Sequence, residues 1–363
     1  RPRYQPTRRT DLNFSSDNGS GAAPQILAAL SQANRGASPA YGADPWSRAA
    51  ESKLAEVFET DLAAFLVATG TAANALALAA LTRPFDAVFC HEEAHVQDDE
   101  CGAPEFFTHG AKLVGIPGTG GKITPEGLAE ALDRHPRGVS KTVQPAALTL
   151  SQVTEAGTIY TLDEIATLAE IAHKAGVAVH MDGARFANAL VSLGASPAGM
   201  SWRAGVDVLS FGATKNGAFA CEAVVFFDKA RAETFPYLRK RGGQTVSKGR
   251  WLGAQMGAYL EGGLWLDLAR HANSAAQRLS RGLAAVPGVR LVWPTEANEV
   301  FAAAASERVA AWSAAGAAFY PWITRSAPRE TAARAGETML RLVTSFETSQ
   351  AEIDAFLALA QSS

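Results

Sequence analysis

Cysteine, charge imbalance and long apolar runs are all scarce in this chain, and each scarcity removes a class of function. Cysteines number three, Cys90, Cys101 and Cys221. Their odd count and irregular spacing exclude a disulfide framework and a cysteine-rich metal site, and they fit a reducing, cytoplasmic compartment. Basic and acidic residues nearly cancel, 33 against 36 for a net charge of -3, which gives nucleic acid or an anionic membrane no electrostatic hold. No apolar stretch approaches the length of a membrane span, and the first ten residues lack a signal-peptide core. The partners to expect are therefore small molecules and further copies of the chain.

What is present is a globular composition, 47% hydrophobic and 19% charged over 363 residues. That length exceeds one ordinary core. The expected division is an N-terminal arm over 1–21, a large domain over 22–265 and a small α+β domain over 266–363, with the basic residues 1–9 read as a trimmed tail. Short β-favouring runs at 63–68, 87–90, 112–116, 146–150, 177–181, 206–210 and 222–227 alternate with helical stretches. The pattern predicts an α/β fold in which one mostly parallel, seven-stranded sheet carries helices on both faces. Asp44-Pro45 starts a helix running to 58, and Thr161 with Glu164 forms a capping box for a helix that Gly176 ends. A long helical stretch over 248–286 is expected to lead into the small domain, where strands fall at 289–293, 299–302 and 339–344 and helices near 306–315 and 349–361.

Two of the strands end in residues of unusual chemical value. Gly176-Val-Ala-Val-His-Met-Asp182 is an apolar run closed by a carboxylate, and Val206-Asp-Val-Leu-Ser-Phe-Gly-Ala-Thr-Lys215 repeats that grammar with a lysine at its tip. A pyridoxal phosphate (PLP) enzyme needs a lysine amine to bond the cofactor's aldehyde. It also needs a carboxylate to keep the pyridine nitrogen protonated, so that the ring draws electrons from the substrate's α-carbon. Either residue alone is more simply a helix-capping Asp or a solvated loop Lys; their order along the chain gives the pair its weight. Upstream, Ala68-Thr-Gly70-Thr71-Ala72-Ala-Asn74 leads from a strand into an apolar helix, so that its N–H groups and the Thr71 hydroxyl suit a phosphate. A third segment, His91-Glu-Glu-Ala-His95-Val-Gln-Asp-Asp-Glu100, is dense in titratable groups. Its two histidines lie four apart, yet no convincing third ligand accompanies them, and no metal is expected.

These motifs carry a family resemblance over nearly the whole length. With Phe14-Ser-Ser16-Asp-Asn18, Tyr41-Gly-Ala-Asp44-Pro45, Asp99-Glu-Cys-Gly-Ala-Pro-Glu105, Met181-Asp-Gly-Ala-Arg185, Thr214-Lys-Asn-Gly217 and Leu340-Arg-Leu-Val-Thr344, the chain resembles the low-specificity L-threonine aldolase and phenylserine aldolase group of the β-eliminating lyase superfamily. The resemblance implies the PLP-dependent transferase-like fold type I. It implies Lys215 as the cofactor-bonding lysine and Asp182 as the pyridine partner, with Gly70, Thr71 and Ala72 at the phosphate and His95 stacked on the ring. Ser16, Arg185 and Arg341 would bind the substrate carboxylate, a role suited to arginine's planar fork. A homodimer or homotetramer is implied too, with the cationic stretch Arg239 to Arg250 reaching a neighbouring subunit's phosphate.

The chain departs from the family pattern in one place. Many threonine aldolases carry Glu-Asn-Thr-His-Asn where Ser151-Gln-Val-Thr-Glu155 stands here, so that Thr154 replaces the histidine that reaches the β-hydroxyl. Gln152 is still expected to reach the cofactor's 3-oxygen. The base for the β-hydroxyl is then His95, Glu100 or a water, and loose diastereomer choice is expected. The activity implied is reversible cleavage of L-β-hydroxy-α-amino acids, of the threonine, allo-threonine and phenylserine type, to glycine and an aldehyde. The alternatives are a β-eliminating lyase acting on cysteine- or serine-like substrates, and a PLP-fold protein that binds without turnover.

Overall fold

A computed structural model describes residues 12–362; the expected tail over 1–9 lies outside them. The first element is β1 (Leu12–Asn13). The main sheet is built from β2 (Ala63–Val67), β3 (Asp86–His91), β4 (Lys112–Ile116), β5 (Gln144–Ser151), β6 (Ala178–Gly183), β7 (Val208–Gly212) and β8 (Glu222–Phe226). Their order across the sheet is β2-β8-β7-β6-β5-β3-β4. Strands β7, β6, β5, β3 and β4 run parallel, and β8 is antiparallel to both β7 and β2. Every residue of β3, β6, β7 and β8 is buried. With helices on both faces these four strands have no wet side, which is why they read as continuous apolar runs rather than alternating ones.

The seven expected strands are all present, with ends shifted by a residue or two. The helix starts behave as their chemistry requires. The Asp44 carboxylate accepts from Ser47 N at 2.8 Å ahead of the helix Pro45–Val57, and the Thr161–Glu164 capping box is complete ahead of Leu162–Lys174. The single helix expected over 248–286 is two, Arg250–Leu260 and Leu264–Ala284. Gly262 and Gly263 between them adopt φ of 58° and 78°, a left-handed conformation that glycine enters without strain and that ends an α-helix.

A second, antiparallel sheet has the order β12-β13-β10-β9, from β9 (Arg290–Leu291), β10 (Glu299–Ala305), β12 (Tyr320–Pro321) and β13 (Glu337–Val343); β11 (Ala317–Ala318) pairs with β1 instead. It has its own core, in which Phe14, Trp312 and Phe356 are fully buried, with ring centroids 5.3 Å (Phe14–Phe356) and 5.8 Å (Trp312–Phe356) apart. The described part of the N-terminal arm thus belongs to this second core. The main core packs Phe211 edge to face against both Phe58 and Phe186, which are tilted to each other. In an open α/β sheet, ligands bind outside the carboxyl ends of the strands. Gly70, His95, Ser151, Asp182 and Lys215 follow or close β2, β3, β5, β6 and β7, which all point their carboxyl ends the same way.

Candidate active site at the strand ends

Asn74, His95, Ser151, Val153, Glu155, Asp182, Ala184, Arg185 and Lys215 line one cavity of about 50 Å³ open to solvent. Asp182, the penultimate residue of β6, is buried; its Oδ1 accepts from Ala184 N at 3.0 Å and its Oδ2 from Asn74 Nδ2 at 2.8 Å. The same amide donates to Glu100 Oε1 at 2.8 Å, and His95 Nδ1 meets that oxygen at 2.8 Å. One asparagine thus joins two buried carboxylates, and the second of them orients the imidazole. Burial and the nearby Asp182 charge raise the Glu100 pKa, against the hydrogen bonds from His95 and Asn74. Burial lowers that of His95, but the Glu100 hydrogen bond and the Asp182 charge outweigh it and leave it raised. His95, Glu100 and Asp182 bring side-chain atoms within 4.8 Å of one another, yet the contacts among them run through the Asn74 amide and the imidazole. His91 is engaged elsewhere, between Gly118 O and Glu93 N.

The helix Gly70–Leu81 points its N-terminus at this end of the sheet. Its capping hydroxyl is Thr69, which accepts from Ala72 N at 3.2 Å, one residue earlier than the threonine the sequence singles out. Gly70, Thr71 and Ala72 stay half-buried, and a Cβ on Gly70 would meet nothing within 4 Å. Gln244, from the cationic stretch, accepts from Ala68 N at 2.9 Å, so that this stretch passes the helix start of its own chain.

The arginines stand in a charge cluster that joins the two cores. Arg185 donates through Nε and Nη2 to the two oxygens of Asp17, at 2.7 and 3.1 Å, and its Nη1 lies 3.3 Å from Glu299. Glu299 also lies 3.8 Å from Arg341, whose guanidinium covers the Trp322 ring at 4.2 Å. Burial works against the Arg185 charge, but Asp17 and Glu299 hold its pKa above the ordinary value. Burial likewise raises Asp17, but Arg185 and Lys215 outweigh it and leave its pKa lowered.

Several expected site residues are placed otherwise. Gln152 is fully buried, and its amide is used by Tyr160 O at 2.9 Å and Tyr160 N at 3.0 Å, so that it does not face the cavity. Thr154, which stands in place of the family's histidine, bonds Gly120 O of a separate segment at 3.1 Å and Thr158 Oγ1 at 2.8 Å. Ser16 Oγ caps its own short helix by accepting from Asn18 N, and borders a different cavity with Val343 and Ser345. Its neighbour Asp17 is the residue that reaches Arg185. Glu100 bonds His95 but does not line the cavity, and Arg341 does not line it either and lies 3.8 Å from Glu299. Asn74, Asp17 and Glu299 were not singled out from sequence, whereas Glu155, with Glu100, is the residue expected to recognise the β-hydroxyl if the two threonine diastereomers are told apart. Asn74 alone left a signal, as the one polar residue inside the apolar run Ala72-Ala-Asn74-Ala-Leu-Ala-Leu.

The sequence profile described as beta-eliminating lyase matches residues 13–307. The chain belongs to the beta-eliminating lyase family. A low specificity L-threonine aldolase of Pseudomonas aeruginosa is 46% identical over 317 residues, which cover 87% of this chain and 91% of that protein. A threonine aldolase structure from Leishmania major superposes with a TM-score of 0.89 at 28% identity, covering 96% of this chain and 98% of that one. The serine palmitoyltransferase of Sphingomonas wittichii, at 17% identity and a TM-score of 0.68 over 96% of this chain and 86% of that one, shares the fold. The architecture is PLP fold type I, and this beta-eliminating lyase family depends on PLP.

The residues present fit that cofactor. Asp182 is buried and held in place by two donors, a half-buried lysine and an imidazole share its cavity, and the start of a twelve-residue helix opens beside them. Together these supply a partner for a ring nitrogen, a nucleophilic amine, an aromatic face and an anion site.

Proposed function

We propose that this protein catalyses the reversible retro-aldol cleavage of L-β-hydroxy-α-amino acids, including threonine, allo-threonine and phenylserine, to glycine and an aldehyde. The observation that carries this reading is the cavity in which Lys215 shares a wall with Asp182, His95 and Arg185, in a chain 46% identical to an L-threonine aldolase. Lys215 would hold PLP covalently, Asp182 its pyridine nitrogen, His95 its ring face, and the start of the helix Gly70–Leu81 its phosphate. When bound, PLP supplies the electron sink for the pair released as the Cα–Cβ bond breaks.

The chain's own residues do the rest. Asn74 and the Ala184 amide fix the Asp182 carboxylate, so that its orientation does not depend on solvent. Glu100 fixes the His95 ring by its Nδ1. Arg185 offers a planar fork for a carboxylate at the cavity edge, and to use it a substrate must share the guanidinium with Asp17.

The domain division at about 265, a homodimeric or tetrameric assembly and a cytoplasmic location belong to the same reading. The first is supported by the separate cores, the second by exposed Tyr41, Phe219 and Tyr237, and the third by three unpaired cysteines. Among the described residues no helix is long and apolar enough to cross a membrane. Incubating the PLP-loaded protein with threonine, allo-threonine and phenylserine tests the reading. Glycine and aldehyde in equal amounts are expected, whereas a keto acid and ammonia would make the protein a β-eliminating lyase.

A further inference from the structure

A second cavity adjoins the first, lined by Glu93, Asp98, Trp322, Thr324 and Ser326 among others, and Glu155 is the residue that borders both. The two oxygens of Glu155 are in different situations. Oε1 accepts from His95 N at 2.7 Å and from Ser151 Oγ at 2.7 Å. Oε2 is shut off from solvent and has no hydrogen-bond partner. A buried carboxylate oxygen without a donor carries a desolvation cost, and native structures leave few such groups unless a ligand or a function uses them.

Substrate geometry suggests that use. With the amino and carboxylate groups of a β-hydroxy amino acid at Lys215 and Arg185, the outer cavity beside Glu155 offers room for the β-substituent. The β-carbon then passes the wall that Glu155 forms. Of the other groups considered for its hydroxyl, Glu100 does not line the cavity and bonds His95 Nδ1 and Asn74, and His95 is assigned to the cofactor's ring face in the reading above.

Resting on the aldolase reading above, we propose that Glu155 is the catalytic base that takes the β-hydroxyl proton. In that step the O–H proton moves to Glu155 Oε2, the C–O bond becomes the aldehyde C=O, and the Cα–Cβ bond breaks with its electron pair on Cα. A proton then added at Cα gives glycine, and in the synthetic direction Glu155 returns its proton to the new hydroxyl. Glu155 has a basicity suited to this exchange. Burial and the neighbouring Asp182 raise its pKa to about 7, against the hydrogen bonds from Ser151 and the His95 amide, and a base works best near the pH at which it operates.

The test compares Glu155→Gln and Glu155→Asp with wild type as PLP-loaded enzymes, by phenylserine and threonine cleavage and by exchange of the glycine α-hydrogen in D2O. Glycine has no β-hydroxyl, so its exchange does not need the proposed base. Glutamine keeps an oxygen for the His95 and Ser151 donors but cannot take a proton. Glu155→Gln is expected to lose ~10²–10⁴-fold in cleavage rate. Its glycine exchange, PLP absorbance and melting temperature should stay close to wild type, with exchange within about threefold, and Glu155→Asp should recover part of the cleavage. Cleavage by Glu155→Gln within about threefold of an active wild type overturns the proposal alone. So does a parallel loss of glycine exchange and PLP, which would make Glu155 a structural support. A wild type that releases no glycine from either substrate overturns the aldolase reading and this proposal with it.

Discussion

The two sides of the cavity are built on different physical terms. On the side of Asp182 and Lys215, every functional residue closes or follows a strand of one sheet, and the links are short hydrogen bonds through Asn74. On the side of Arg185, four charged residues from positions 17, 185, 299 and 341 meet where the two cores join, and the links are buried ion pairs. The first side is rigid because the sheet beneath it is rigid. The second depends on how the two cores sit together, since a buried charge that loses its partner is costly.

The largest effect that would break this contrast is at the lysine. Lys215→Ala is expected to abolish turnover while Asp17, Arg185 and Glu299 stay paired, so that its far-UV spectrum and melting temperature remain near those of wild type. A collapse of the fold in this variant would mean that the two sides are not independent. Next comes Asp17→Asn, which leaves the Arg185 charge with Glu299 alone. Breaking a buried pair costs about 3–5 kcal/mol, and hydrogen exchange should show the loss at β1 and the second core before the main sheet. The pH dependence has a definite sign. The folded pKa of Asp17 lies below its ordinary value of 3.8, so its contribution is complete above that value and fades as pH falls through the folded one. Chemical denaturation of wild type and Asp17→Asn should therefore converge only in strong acid.

How legible these two sides were from sequence differs for the same physical reason. The strands of the main sheet are buried on both faces, so each appears as an apolar run, and a polar residue at its end, such as Asp182, stands out. Asp17, Glu299 and Arg341 are far apart in the chain and ordinary in composition, and nothing local says that they meet. The position of Gln152, away from the cavity, has a local cause. The strand ends at Ser151, and in the bend and turn that follow the Tyr160 backbone takes the Gln152 amide while Gly120 and Thr158 take the Thr154 hydroxyl, so that Ser151, Val153 and Glu155 line the cavity instead. The helix over 248–286 was misread because two adjacent glycines, Gly262 and Gly263, end it in a left-handed turn.

Two smaller effects sharpen the comparison. Asn74→Ala removes the donor shared by Glu100 and Asp182 and leaves each short of a bond, at about 1–3 kcal/mol per unpaired group. Weakened PLP retention, with the arginine cluster intact, is the expected signature in equilibrium dialysis. His95→Phe should keep PLP, because a benzene ring can cover a pyridine face. His95 is 37% exposed, so its ion pair with Glu100 is worth less than about 1 kcal/mol. Because the folded pKa of His95 is raised from 6.5, that contribution is complete below 6.5 and disappears as pH rises through the folded value. Melting curves of wild type and His95→Phe should accordingly draw together in mildly alkaline buffer.

The central claim is that the strand-end cavity is a PLP site whose covalent anchor is Lys215. Borohydride reduction of the PLP-loaded protein, followed by proteolysis and mass mapping, tests it most directly. The account predicts the pyridoxyl label on the peptide containing Thr214-Lys-Asn-Gly217, and no label in Lys215→Ala. A label on any other lysine, or a wild type that takes up PLP without becoming labelled, would contradict it.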